Sequence, residues 1–156
     1  ERTVSMRWLS APVDIADIDA AIDQMQYIMD KDALEKMKAL PPEQKRERWA
    51  AWWKRKDPTP GSERNEMMEE YYSRVTYANR QFSHYSEGWK TDMGMVYIIF
   101  GAPNNIERRP FEVDSKPYEI WTYYDLNRNF VFVDASGFGD YRLQTPLWDI
   151  PGTGVR

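Results

Sequence analysis

Four carboxylates lie beside turn-forming residues. Asp92 ends Gly88-Trp89-Lys90-Thr91-Asp92, Glu119 lies in Tyr118-Glu119-Ile120-Trp121, and Asp134 and Asp140 bracket Ala135-Ser136-Gly137-Phe138-Gly139. Two such groups facing one cleft can cleave a glycosidic bond, one as acid and the other as base or nucleophile. Oxygen ligands of this kind can also hold calcium. The single histidine, His84, precedes Asp92 and would be its partner in general-base chemistry. A Ser-His-Asp relay must use the same histidine with Ser83 or Ser86, yet neither serine sits in a nucleophile-elbow pattern. One histidine rules out a multi-histidine zinc site, and zero cysteines remove thiol nucleophiles, thiolate ligands and disulfides.

Each of these residues also has a plainer reading. Asp134 and Asp140 flank a glycine turn, where Asp side chains satisfy backbone donors. The alternating acids and distal Glu of a calcium loop are missing. Gly137-x-Gly139 is too short for a phosphate cradle and opens no helix. A histidine at a helix end suits the dipole's negative pole. No catalytic residue, metal site or cofactor is therefore expected. In the Gly-Trp-Lys-Thr-Asp stretch, Trp89 is expected to plug a joint between a helix and a sheet, and Thr91 or Asp92 to cap backbone donors. Gly94 then provides a positive φ or a close approach. Gly88, Trp89, Thr91, Asp92, Gly94, Gly101, Pro103 and Trp121 make up this expected structural junction.

The elements around the joint follow from periodicity. Over residues 14–30, Ile15, Ile18, Ile22, Met25 and Met29 fall on one stripe of an amphipathic helix. Asp32 with Glu35 reads as a capping box for a second short helix, which Pro41-Pro42 ends. Pro42 suits the first turn of a third helix carrying Trp49, Trp52 and Trp53. Adjacent Trp52 and Trp53 point in different directions, so one of them is expected to leave the core and meet a partner. Lys56 to Gly61, with its two prolines, must be a rigid loop, and Ser62 is the expected N-cap of a helix running to about His84. Beyond Gly88 the apolar run Met95 to Phe100 predicts a strand covered on both faces. Gly101 to Asn105 predicts a turn, and Tyr118–Tyr124 with Asn129–Asp134 a hairpin, followed by a strand over Tyr141–Thr145.

Helices before strands define an α+β fold, with N-terminal helices packed against one face of an antiparallel meander of about four strands. The expected organisation is an extended arm over residues 1–13, one domain over 14–145 and an extended tail over 146–156. Within the domain, residues 14–87 are the helical half and 88–145 the β half. A chain of 156 residues can bury a core without staples. Its net charge of −4 argues against a nucleic-acid partner, which needs a basic field. Acidic residues gather before Asp32 and basic ones between Lys45 and Lys56, two faces that can attract each other. No run is long and apolar enough to span a bilayer, and no signal segment is expected within the chain. Aromatic residues reach 15%, enough to imply a Trp-rich core or a docking surface.

The chain resembles bacterial proteins of the GWxTD domain family. The resemblance rests on Gly88-Trp89-Lys90-Thr91-Asp92, Gly94 and Phe100-Gly101-Ala102-Pro103. Upstream it includes Trp52 to Gly61 and Asn65-Glu66, and downstream Glu119 to Tyr123, Phe132-Val133-Asp134 and Gly137 to Tyr141. Met93 departs from it, standing where a basic residue is expected. The resemblance implies an envelope-associated or secreted bacterial protein and brings no activity with it. A thinner similarity, Gly101-Ala102-Pro103 followed by Trp121-Thr122-Tyr123, is to small outer-membrane lipoproteins that brace β-barrel assembly machinery.

The expected function is thus a non-enzymatic interaction or scaffold module, an accessory subunit with protein partners in an extracytoplasmic assembly. Trp49, Trp52, Trp53, Ile15, Ile18, Ile22, Met25 and Met29 are its candidate contacts. The alternative is a carbohydrate-active or other hydrolase domain using carboxylates near the Gly-Trp-Lys-Thr-Asp turn. Two carboxylates in one cleft beside a Trp platform would favour the hydrolase, and an exposed stripe from Ile15 to Met29 the interaction module.

Overall fold

The computed structural model describes residues 17–110 and 115–147. The chain divides into two compact units after Thr76, within its longest helix. The arm over 1–13, Ile15 and most of the tail lie outside the described residues.

The first unit is helical. Asp17 caps α1 (Ile18–Asp23) through its carboxylate, which accepts from Ala20 N at 3.1 Å. The chain then tightens into a 3₁₀ turn over Gln24–Tyr27. The helix predicted over 14–30 is therefore broken, and Asp30 starts α2 (Lys31–Lys38) by accepting from Asp32 N and Ala33 N. Asp30 takes the capping role expected of Asp32, because its extended backbone aims the carboxylate at those two donors. Pro42 begins α3 (Pro42–Arg55), where its missing N–H has no consequence. Asn65, not Ser62, caps α4 (Glu66–Phe82), accepting from Met68 N at 3.1 Å while donating to Trp53 O at 2.7 Å. Those two bonds tie the helix start to the end of α3, and Ser62 is left bonding within the loop to Arg64.

The core of this unit is aromatic. Trp53 and Tyr72 lie 5.6 Å apart between ring centroids, and Tyr71 meets Tyr72 edge-on at 5.4 Å. Trp49 Nε1 donates to the Tyr72 hydroxyl at 2.9 Å, which donates in turn to Ala21 O at 2.8 Å. The Tyr71 hydroxyl donates to Gln24 O. Burial raises both phenol pKa values, the Trp49 donor partly opposing it at Tyr72. The expected attraction between the acidic and basic segments is visible in Lys45–Asp19 at 2.6 Å, and Lys38, outside the basic segment, pairs with Asp23 at 3.2 Å. Exposed pairs of this sort contribute at most about 1 kcal/mol each.

The second unit is α+β. Thr91 caps α5 (Asp92–Phe100), its hydroxyl accepting from Gly94 N at 3.0 Å, and Gly101 closes the helix at φ 84°, a conformation that suits glycine. The strand predicted over Met95–Phe100 is thus a helix. Its side chains are apolar all round, so neither period shows, and the cap at Thr91 decides the outcome. Four strands follow, β1 (Asn105–Arg109), β2 (Tyr118–Tyr123), β3 (Arg128–Asp134) and β4 (Tyr141–Leu143). They form an antiparallel meander in sequential order. The first strand is charged, and only its first residue, Asn105, belongs to the predicted turn; pairing of Ile106 with Trp121 and Arg108 with Glu119 makes it an edge strand.

Alternation fixes the inner face of the sheet. Trp121, Tyr123, Phe130 and Phe132 are buried there with Met93 and Val96 of α5. Leu147, placed in the tail by the sequence, joins the same cluster. Removing each large apolar side chain of this kind from water contributes roughly 1.5–3 kcal/mol.

Candidate functional site

Two features of the second unit could carry function: the Gly-Trp-Lys-Thr-Asp turn and a neighbouring cleft. Gly88–Lys90 forms a 3₁₀ turn pressed against the end of α4. A Cβ at Gly88 would lie 1.9 Å from Ala78 O, and one at Gly94 would lie 1.9 Å from Gly88 O. The backbones therefore stack with no room for a methyl group at either position. Gly88 N donates to Ser83 Oγ at 2.8 Å and Trp89 N to Asn79 Oδ1 at 2.9 Å. The Thr91 hydroxyl donates to Gly88 O at 2.7 Å while capping α5, and Asp92 Oδ2 accepts from Leu143 N in β4 at 2.7 Å. Trp89 is buried, with Lys90 Nζ 5.5 Å from its ring centroid. Gly101 O accepts from the Tyr123 hydroxyl at 2.6 Å. The side chains of Thr91 and Asp92 are thus bonded to backbone groups, and Asp92 is not among the residues lining the cleft.

The cleft has a volume of about 390 Å³. Its apolar wall includes Tyr77, Phe82, Tyr97 and Trp121. Tyr77 stacks on Tyr97 with centroids 4.3 Å apart and planes 11° from parallel, and Phe82 meets Trp121 at 5.7 Å. Pro103 and Ile106 extend this wall at the start of β1. Opposite in character are Gln81, His84, Arg108, Glu119, Asp140 and Tyr141. Strand register explains the change: the inner-face row that is apolar at Ile106 and Trp121 becomes Arg108 and Glu119 one pleat further on.

The carboxylates are held by cations and donors. Glu119 accepts from Trp121 Nε1 at 3.1 Å and pairs with Arg108 Nε at 3.5 Å. Both oxygens of Asp140 accept from Arg142 Nε at 3.0 Å. Asp134 is buried below the glycine turn and accepts from Gly137 N at 3.0 Å, Gly139 N at 2.8 Å and Ser136 Oγ at 3.2 Å. Burial opposes its charge, yet these donors hold the carboxyl below the usual Asp range. Tyr141 titrates above the usual phenol range, because of burial first and the negative charges of Glu119 and Asp134 second. His84 is exposed, its ring against Tyr85 and near Gly139. Among the described residues no three His, Asp or Glu side chains gather as metal ligands would.

The cleft therefore brings together Glu119, Asp140 and His84, but neither Asp92 nor Asp134 lines it. Sequence reasoning missed Tyr77, Gln81, Tyr97 and Arg108. Only the register of β1 against β2 could have found Arg108, and residues 106–109 are assigned to no element by the sequence. The candidate contacts need correction too. Ile18, Ile22, Met25, Met29, Trp49 and Trp53 are buried and present no docking stripe. Trp52 is half-buried, packed edge-on against Trp53 at 4.9 Å with Lys56 over its ring. Apolar surface is instead exposed at Tyr85, Tyr124 and Phe138.

Helices followed along the chain by an antiparallel meander, with a stacked Gly-Trp-Lys-Thr-Asp turn inside the second unit, define the class of the molecule. The chain belongs to the GWxTD domain family, whose model matches residues 12–143. Comparison with curated proteins and with solved structures gave no match. Among the described residues no helix is long and apolar enough to cross a membrane.

Proposed function

We propose that this protein is a non-enzymatic interaction module, an accessory subunit of a bacterial extracytoplasmic assembly that docks a protein partner around the cleft of its second unit. One contrast carries the reading. The cleft carboxylates are already engaged by guanidinium groups, whereas large aromatic side chains at its border are left in water. Tyr85 is 79% exposed and Phe138 70% exposed, and they adjoin the cleft residues His84 and Gly139. Exposed aromatic anchors of this kind are common hot spots of interfaces.

The hydrolase alternative has one observation in its favour, the presence of Glu119 and Asp140 in one cleft. Against it, each carboxylate is already engaged in an ion pair, Glu119 with Arg108 and Asp140 with Arg142, so neither is free to face a substrate alone. Trp121, moreover, is buried and offers no open platform.

A photo-crosslinking residue at position 85 or 138, introduced into the protein in its native cells, tests the proposal. Both positions should give an adduct with the same protein, and Met67, an exposed apolar residue of the first unit, should not. The purified partner should then lose at least about tenfold in affinity for the Tyr85→Ser, Phe138→Ser variant. Adducts at neither position, a cytoplasmic location on fractionation, or glycan hydrolysis abolished by Glu119→Gln would each overturn the reading.

A further inference from the structure

The interior of the cleft is chemically unlike its aromatic border. Its charged groups come as preformed pairs, Arg108 with Glu119 and Asp140 with Arg142. A strongly charged ligand would have to compete with a counter-charge already in place. A neutral ligand with both donors and acceptors can bond to the outer edges of these pairs and leave every charge compensated. Several such edges remain. Arg108 has a 69% exposed side chain and meets Glu119 through Nε, and its planar fork carries further donors at the terminal nitrogens. Gln81 supplies an amide, Tyr141 a phenol and His84 an imidazole.

Beside these groups lies a flat apolar surface. Tyr77 is 43% exposed, one face of its ring lying on Tyr97 and its edge meeting Phe82. A hexopyranose presents complementary chemistry, with C–H groups over the faces of the ring and hydroxyls, each donor and acceptor, around its edge. The size also agrees, since about 390 Å³ lies toward the small end of small-molecule sites.

We propose that the cleft binds a neutral saccharide unit, stacked on Tyr77 and hydrogen-bonded by Arg108, Glu119 and Gln81, without cleaving it. This rests on reading the cleft as a binding site, and it adds a ligand that the exposed aromatic border does not require. Binding would place a sugar beside His84 and Gly139, the chain neighbours of the partner-docking residues Tyr85 and Phe138.

The test is a titration of the isotope-labelled full chain with cellobiose, chitobiose and maltose, each to about 10 mM, which detects millimolar dissociation constants. At least one sugar should move the Trp121 indole resonance and the backbone resonances of Tyr77, Gln81 and Arg108, with no released monosaccharide. Tyr77→Ala should weaken binding about tenfold, and Tyr77→Phe, which keeps the ring, should bind as wild type does. Glu119→Gln should bind with altered affinity and retain the fold, as judged by spectral dispersion. No response to any sugar, or the same response to an acetylated neutral tripeptide in place of the sugars, overturns the saccharide assignment while leaving the crosslinks at 85 and 138 intact. Turnover of a sugar overturns both this inference and the non-enzymatic reading.

Discussion

Gly94→Ala should destabilise the second unit even though it places a better helix former in α5. In an open helix the change contributes about 1 kcal/mol in favour of folding. Here the new methyl carbon would sit 1.9 Å from Gly88 O and 2.9 Å from Gly88 C, both backbone atoms. A real contact requires at least 3.0 Å, so the turn must move by more than about 1 Å. That movement takes Thr91 Oγ1–Gly88 O, now 2.7 Å, beyond bonding range and strains Trp89 N–Asn79 Oδ1, now 2.9 Å. Overpacking of this kind costs about 1–3 kcal/mol and each lost hydrogen bond about 1 kcal/mol. After the propensity gain is subtracted, the net loss is about 1–3 kcal/mol, roughly 2–12 °C in melting temperature. Gly88→Ala should cost at least as much, since three backbone atoms of α4 lie within 3.0 Å of its new carbon. Urea unfolding followed by tryptophan fluorescence gives both values. A Gly94→Ala protein as stable as wild type would mean that α5 and the turn are not stacked as described.

Trp89→Ala should cost about 3–5 kcal/mol, measured by the same unfolding assay, because a buried indole leaves a cavity the joint cannot close. In the first unit, the folded pKa of Tyr72 is raised, so its contribution is fully present below the unfolded phenol value near 10 and declines as pH rises above it. Tyr72→Phe should lose about 1–2 kcal/mol at neutral pH and show a shallower alkaline decline when melting temperature is followed from pH 8 to 11. Asp134 behaves oppositely. Its folded pKa lies below the ordinary value of 3.8, so its contribution is present above that value and lost as pH falls through the folded one. Asp134→Asn should flatten the acid limb of a stability–pH curve and release the Gly137 and Gly139 amides to faster hydrogen exchange.

The sequence made the class of the fold legible because helices and strands separate along the chain, and alternation in Tyr118–Tyr123 and Phe130–Asp134 leaves only one inner face. It misled at Met95–Phe100 for a physical reason: a short run apolar on every side has no visible period, and its β-branched residues suit a strand as well as a buried helix. The information that decides lies outside the run, in the hydroxyl of Thr91 and the turn at Gly101. The error then displaced the first strand. Asn-Ile-Glu-Arg-Arg has no hydrophobic signal of its own and becomes a strand through pairing with β2. Without that strand Arg108 could not be placed opposite Glu119, so the cation of the cleft's polar wall stayed hidden. The amphipathic stripe Ile18–Met29 and the residues Trp49 and Trp53 were legible as apolar contacts. Whether they face a core or a partner depends on the aromatic cluster around Tyr71 and Tyr72, which spacing alone does not specify.

The motif that marks the family and the residues that line the cleft do different jobs, and their hydrogen bonding explains why. Thr91 and Asp92 have bonds to Gly88 O, Gly94 N and Leu143 N, so their polar atoms serve the joint. Gly88 and Gly94 contribute only the absence of a side chain. A stretch used in this way constrains the chain tightly and leaves little capacity for recognising a ligand. Arg108, by contrast, lies on an edge strand paired with β2, and Tyr77 and Gln81 lie on the last turns of α4, outside the stacked turn. Their side chains can be exchanged without undoing the joint, provided the inner face stays covered. It follows that a common scaffold can carry different cleft chemistries, and that substitutions at Tyr77 and Arg108 should alter binding at constant stability, whereas substitutions at Gly88 or Gly94 should alter stability first.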